Sequence, residues 1–151
     1  MLGFWKKLAE SEPLIRRALV IVEKAFGPEH PRVSECLNNL VFIQMDKKQM
    51  GEAERLMRRA LAIDEKSLGS DHPTLAIHLH NLSTVLIAMN RLGQAEPLMK
   101  RHLLIFKKFC QTNGHEHPHW KAGLVDYQNL LLAMKMSQKQ VVAKLREVIG
   151  N

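Results

Sequence analysis

Aromatic side chains are scarce in this chain, at 5% of 151 residues, and there are two cysteines and no apolar run approaching the roughly 18 residues that a membrane span requires. Cys36 lies inside an expected helix and Cys110 at a helix end, so the pair reads neither as a disulfide framework nor as a metal knuckle. Two buried thiols are expected instead. Met1 to Lys7 contain Phe4 and Trp5 but no long apolar core and no small-residue cleavage pattern, so no secretory signal is expected and cytoplasm is the expected compartment. Catalytic patterns are also missing: no nucleophile comes with a base and an orienter, and no glycine-rich phosphate loop is present. Ser83 and Thr84 follow His80 at i+3 and i+4, yet a helix surface without an oxyanion hole gives such a pair no chemistry. A non-enzymatic protein without a cofactor is expected.

The chain is strongly basic, with net charge +7 and pI near 9.7. A nucleic-acid partner bound through basic outer faces is one reading of that excess. Glu12–Arg16, Glu54–Arg58 and Glu96–Lys100 each have the i, i+4 spacing with the acid first, so part of the basic set has a local helical role. A solvated outer face is the expectation that follows.

What the chain does have is a repeat. Arg16-Arg17-Ala18-Leu19 returns 42 residues later as Arg58-Arg59-Ala60-Leu61, and 10 of the 16 positions from Arg16 to Pro31 are identical in Arg58 to Pro73. A weaker third copy puts Leu98, Arg101, Leu103, Ile105 and Lys108 another 42 residues on, while His117-Pro118 follows His72-Pro73 by 45. A fixed period of this size means stacked supersecondary units, each burying an apolar face on its neighbours. About three two-helix units fit in the chain.

Apolar residues at Leu14, Ala18, Ile21 and Ala25, with a second row at Ile15, Leu19, Val22 and Phe26, predict a first outer helix covered on two sides, over about residues 8–26. Repeats then span 31–68, 73–111 and 118–149 within a single domain of residues 1–151. Gly27 and Gly69 are expected to close outer helices in the left-handed conformation, and the prolines Pro31, Pro73 and Pro118 to open inner ones. Gly51 and Gly93 are expected to end the turns into the next outer helices, with Pro13 and Pro97 in first turns. Ser137 with Gln140 has capping-box spacing, opening a last helix that caps the array. Leu2, Phe4 and Trp5 either fold back over the first helix or belong to one end of a longer stack, which raises end-to-end self-association as an alternative role.

The strings Ala53-Glu54-Arg55-Leu56-Met57-Arg58-Arg59-Ala60-Leu61-Ala62-Ile63-Asp64-Glu65-Lys66, Leu68-Gly69-Ser70-Asp71-His72-Pro73 and His80-Asn81-Leu82 resemble the 42-residue tetratricopeptide repeat of kinesin light chains and their bacterial relatives. The resemblance covers about Leu8 to Ile149. It implies an all-α, right-handed α-solenoid of antiparallel helix pairs, whose inner helices line a concave groove that binds a peptide or protein. In that family paired asparagines face the groove. Asn38-Asn39 match fully, His80-Asn81 by half and Val125-Asp126 not at all.

Helical spacing groups further side chains with these: Phe42 with Asn39, Thr84 with Asn81, and Asn129 with Asp126. The expected peptide-binding groove is therefore Asn38, Asn39, Phe42, His80, Asn81, Thr84, Asp126 and Asn129. Asparagine carries donors and an acceptor and so can bond a peptide backbone without demanding a particular side chain. A carboxylate clamp would need Lys or Arg on these faces, and there is none at the positions named. His115, His117 and His119 are the one metal-like cluster, weakened because His117 repeats the solitary His30 and His72 before proline.

Overall fold

In the computed structural model residues 2–150 are described, with side chains from Glu10 onward; Leu2, Phe4 and Trp5, for which a fold-back or stacking role was expected, thus lie outside the described side chains. The described residues form seven helices and no strand: α1 (Leu2–Phe26), α2 (Pro31–Asp46), α3 (Met50–Leu68), α4 (Pro73–Ala88), α5 (Leu92–Asn113), α6 (Pro118–Ala133) and α7 (Gln138–Ile149). The backbone of 2–7 continues α1. Two compact units divide the chain, residues 1–70 and residues 71–151.

The same histidine device opens each of α2, α4 and α6. Nδ1 of His30, His72 and His117 accepts the backbone N–H two residues on, from Arg32, Thr74 and His119, at 3.2 Å in every case. An imidazole nitrogen thus does what a serine or aspartate oxygen does elsewhere, and proline at the first helical position loses no bond. All three helices also end alike. Lys48, Asn90 and Lys135 have φ of 58°, 58° and 60°. The next residue's N–H reaches back five positions: Gln49 to Gln44 O, Arg91 to Leu86 O and Met136 to Leu131 O, at 2.8, 2.8 and 3.2 Å. These are Schellman closures, which satisfy carbonyls the helix end would otherwise leave bare.

That geometry corrects the glycine expectation. Gly51 and Gly93 are the second residues of α3 and α5, because the left-handed residue of each turn comes three positions earlier and is lysine or asparagine. Pro13 and Pro97 likewise lie inside α1 and α5, beyond their first turns. Gly69 has φ 89° and ψ 168°, the positive-φ extended region rather than the left-handed helical one, while Gly114 (72°, 8°) is left-handed. Ser137 and Gln140 form the reciprocal capping box.

In the first unit α2 packs on α1 and α3, burying Val33, Leu37, Leu40, Val41, Leu56, Met57, Ala60 and Ile63. Glu12 joins α1 to α2: its carboxylate receives Gln44 at 2.9 Å, Arg16 and Lys47, and the Lys47 ammonium foremost holds its pKa down at about 2. Ser34 donates to the buried carboxylate of Asp64 at 2.5 Å. The two-sided burial expected of α1 is not seen: Leu14 is 68% and Ile21 58% exposed, with no helix among the described residues on that side.

In the second unit α5 touches α4, α6 and α7. Its core is Leu75, Leu79, Leu82, Leu86, Met99, Leu103, Phe106, Tyr127, Leu131 and Val148. Glu12–Arg16 and Glu54–Arg58 pair as expected, but Glu96 instead accepts the Tyr127 hydroxyl at 2.7 Å and Lys144 at 3.2 Å, leaving Lys100 to Glu147. The third pair is lost because Tyr127 brings a buried hydroxyl that needs an acceptor. Cys36 and Cys110 are free and half-buried rather than buried. The Cys110 sulfur takes the N–H of His117 at 3.2 Å. No helix among the described residues is long and apolar enough to cross a membrane.

Candidate peptide-binding site

The second unit brings four of the expected groove residues into one pocket. His80 and Thr84 enter from α4, Asp126 and Asn129 from α6, and the pocket encloses about 510 Å³, within the range that holds a ligand or a pair of side chains. Ile87, Met99, Leu130 and Ala133 complete it. Two inner helices supply the walls and Met99, buried on α5, lies between them.

His80 and Asp126 meet directly, Nε2 to Oδ2 at 2.9 Å. The imidazole packs against the His102 ring at 5.1 Å between centroids, and His102 in turn meets Phe106 edge-on at 5.0 Å. His102 is buried, with Nδ1 on the carbonyl of Ala76 at 2.8 Å, so that nitrogen carries the proton, and Nε2 has no partner. Burial, ahead of all else, pushes its pKa down to about 4. The ring stands where Ala18 and Ala60 occur in the other copies, and its space comes from Gly123.

Ser83 and Thr84 are committed to backbone: both hydroxyls donate to the carbonyl of His80, at 2.7 and 3.1 Å. Neither presents its proton to an imidazole. Asn38, Asn39 and Phe42 belong to the first unit, on α2; Phe42 and Asn39 are exposed and Asn38 is half-buried and already engaged, as is Asn81 on α4, outside the pocket. Sequence spacing missed Met99, Leu130 and Ala133. Leu130 and Ala133 follow Asp126 by four and seven on α6 and were legible as its neighbours; Met99 comes from an outer helix, which inner-helix spacing cannot reach.

The three histidines after α5 have other engagements. His115 Nδ1 lies 3.0 Å from Asn113 O, His117 Nδ1 serves as a helix cap, and the rings of His117 and His119 stack with each other and with Phe106. Among the described residues no three His, Cys, Asp or Glu side chains are placed to hold a metal ion.

Two family models, both for the tetratricopeptide repeat, match residues 37–108 and 6–32. The chain belongs to the tetratricopeptide-repeat family. Solved structures agree over 95% of the chain: nearly identical TPR-like repeats of a Podosopora anserina protein described as a kinesin light chain, in a substituted form, at 25% identity and TM-score 0.77; and BtubC (BKLC) of P. vanneervenii, at 18% and 0.82. Another form of the Podosopora anserina repeats matches at 22% and 0.71. The chain spans 69% of the first of these structures, 57% of the second and 67% of the third. No curated protein matches it. The fold is an all-α solenoid of tetratricopeptide repeats similar to those of kinesin light chain. Such repeats are in general non-enzymatic scaffolds, and this chain is a protein–protein interaction module.

Proposed function

We propose that this tetratricopeptide-repeat chain is an adaptor that holds a peptide segment of a partner protein against its inner helices, with the His80–Thr84–Asp126–Asn129 pocket as an anchoring point. The observation that carries the reading is the convergence of α4 and α6 on one cavity whose polar groups are His80, Thr84, Asp126 and Asn129. Asn38, Asn39, Phe42 and Asn81 extend the reading to other inner-helix positions, where amides would bond a passing backbone. Two free thiols suit a reducing cytoplasm. Micromolar affinity, on the order of −8 kcal/mol, is the expected scale. The test is affinity capture from the source cell lysate with the intact chain, with His80→Ala/Asn129→Ala and with Asn39→Ala/Asn81→Ala as controls, all checked for helicity. A partner lost with folded variants supports the groove; the same partners with every bait would overturn it.

End-to-end association is a second reading, favoured by one observation. Leu14 and Ile21 are mostly exposed, whereas Leu56 and Ile63, one period on, are 3% and 5% exposed. An apolar helix face left open in this way is a site for another helix, such as one from a second copy. Light scattering across concentration tests it, and a strict monomer would remove it.

A further inference from the structure

We propose that the pocket of the second unit selects a partner segment in which an apolar side chain is flanked by lysine or arginine, with Asp126 receiving the cation. The inference rests on the reading of that pocket as a peptide site and adds the chemistry of its occupant.

The repeat supplies its own comparison. Asn39, Asn81 and Asp126 are one position in three successive inner helices, and the residues before them are Asn38, His80 and Val125. Two copies therefore carry an uncharged amide where the third carries a carboxylate. That carboxylate stands at the pocket, with His80 as its partner from the neighbouring inner helix, and among the described residues lining the cavity there is no Lys or Arg. The pocket thus carries a carboxylate and no lysine or arginine, in a chain whose net charge is +7.

His80 offers Oδ2 one hydrogen bond through Nε2, and a carboxylate can accept several. The Asp126 side chain is 46% exposed, so it remains open to a donor arriving from solvent. A guanidinium or ammonium there makes a charge-assisted hydrogen bond, roughly twice as strong as a neutral one. The remaining surface decides the rest of the ligand. Ile87, Met99, Leu130 and Ala133 form a wall with no hydrogen-bond partners beyond a thioether, and that wall favours an apolar group. An acidic segment would meet Asp126 as a like charge, and a basic one without an apolar neighbour would leave the cavity unfilled.

The test is selection of a random eight-residue peptide library, displayed on phage, against the intact chain and against Asp126→Asn in parallel. Asn is the residue at the two equivalent positions, so the variant should fold, as circular dichroism will verify. Thr84→Lys, on an exposed position of α4, is the second variant and places a cation beside Asp126. Expected with the native chain is enrichment of sequences pairing Leu, Ile, Met or Phe with an adjacent Lys or Arg. Replacing the cation by glutamine in a selected peptide should weaken binding about tenfold, and Asp126→Asn and Thr84→Lys should each abolish that difference. Apolar peptides selected without a basic residue, acidic peptides, or a basic preference that survives both variants would overturn the inference while leaving the peptide site standing. Absence of any enriched peptide would overturn the site and the inference together.

Discussion

A Cβ placed on Gly123 would stand 2.5 Å from Nε2 of His102, so glycine on α6 and histidine on α5 form a matched pair. The imidazole has no room to retreat: Nδ1 is held by Ala76 and the ring meets Phe106 edge-on. Gly123→Ala should therefore destabilise by about 1–3 kcal/mol, although alanine is the better helix former. In a His102→Ala background the same change should turn neutral or stabilising by up to about 1 kcal/mol, since Leu103, whose Cδ2 is 2.9 Å from the same point, gains space. Denaturant unfolding of the four proteins in the cycle checks the sign reversal. Equal destabilisation in both backgrounds would disprove the pairing.

The buried His102 also makes stability depend on pH. Its folded pKa of about 4 lies below the ordinary histidine value of 6.5, so between those values the unfolded chain binds the proton and the folded one does not. Stability is thus unaffected by this group above about pH 6.5 and falls as pH drops toward 4, by at most about 3 kcal/mol. His102→Ala should flatten most of that slope. Thermal midpoints measured from pH 7.5 to 4 report it, and an unchanged slope in the variant would refute the assignment.

Tyr127 is the sole tyrosine, which makes its ionisation readable by absorbance. Burial, with the Glu96 carboxylate as its hydrogen-bond acceptor, raises the phenol well above its ordinary value of 10.0. Tyrosinate absorbance should stay absent near pH 10 and emerge only as the chain unfolds in alkali. Reversible titration near 10 in the folded protein would contradict the buried hydrogen bond.

Lys48 and Lys135 take the left-handed conformation at helix ends where glycine is the favoured residue. Lys48→Gly and Lys135→Gly should each stabilise by about 0.5–1 kcal/mol, because a side chain with a Cβ is strained there. Asn90→Gly should gain less, since asparagine visits that region readily. The unfolding midpoints of the three variants give the ranking.

Much of the architecture was legible in one dimension. The 42-residue recurrence from Arg16 to Arg58, the His-Pro steps at 30, 72 and 117, and the capping spacing of Ser137 and Gln140 are local or periodic signals, and each maps onto a helix or a helix end. Turn conformation was less legible. Gly51 and Gly93 drew attention as glycines, yet the left-handed residues are Lys48 and Asn90, since a Schellman closure depends on the five-residue return bond more than on residue type.

By itself the sequence determined the repeat, the helical class and which side chains share a side of one helix, His80 with Thr84 and Asp126 with Asn129, because helical periodicity converts spacing directly into side. Tertiary structure alone decided that His80 meets Asp126 across 46 positions, that Met99 closes the pocket from an outer helix, and that His102 takes the room Gly123 leaves. Those are contacts between helices, set by how far apart two backbones pack, and no spacing along one chain contains that distance.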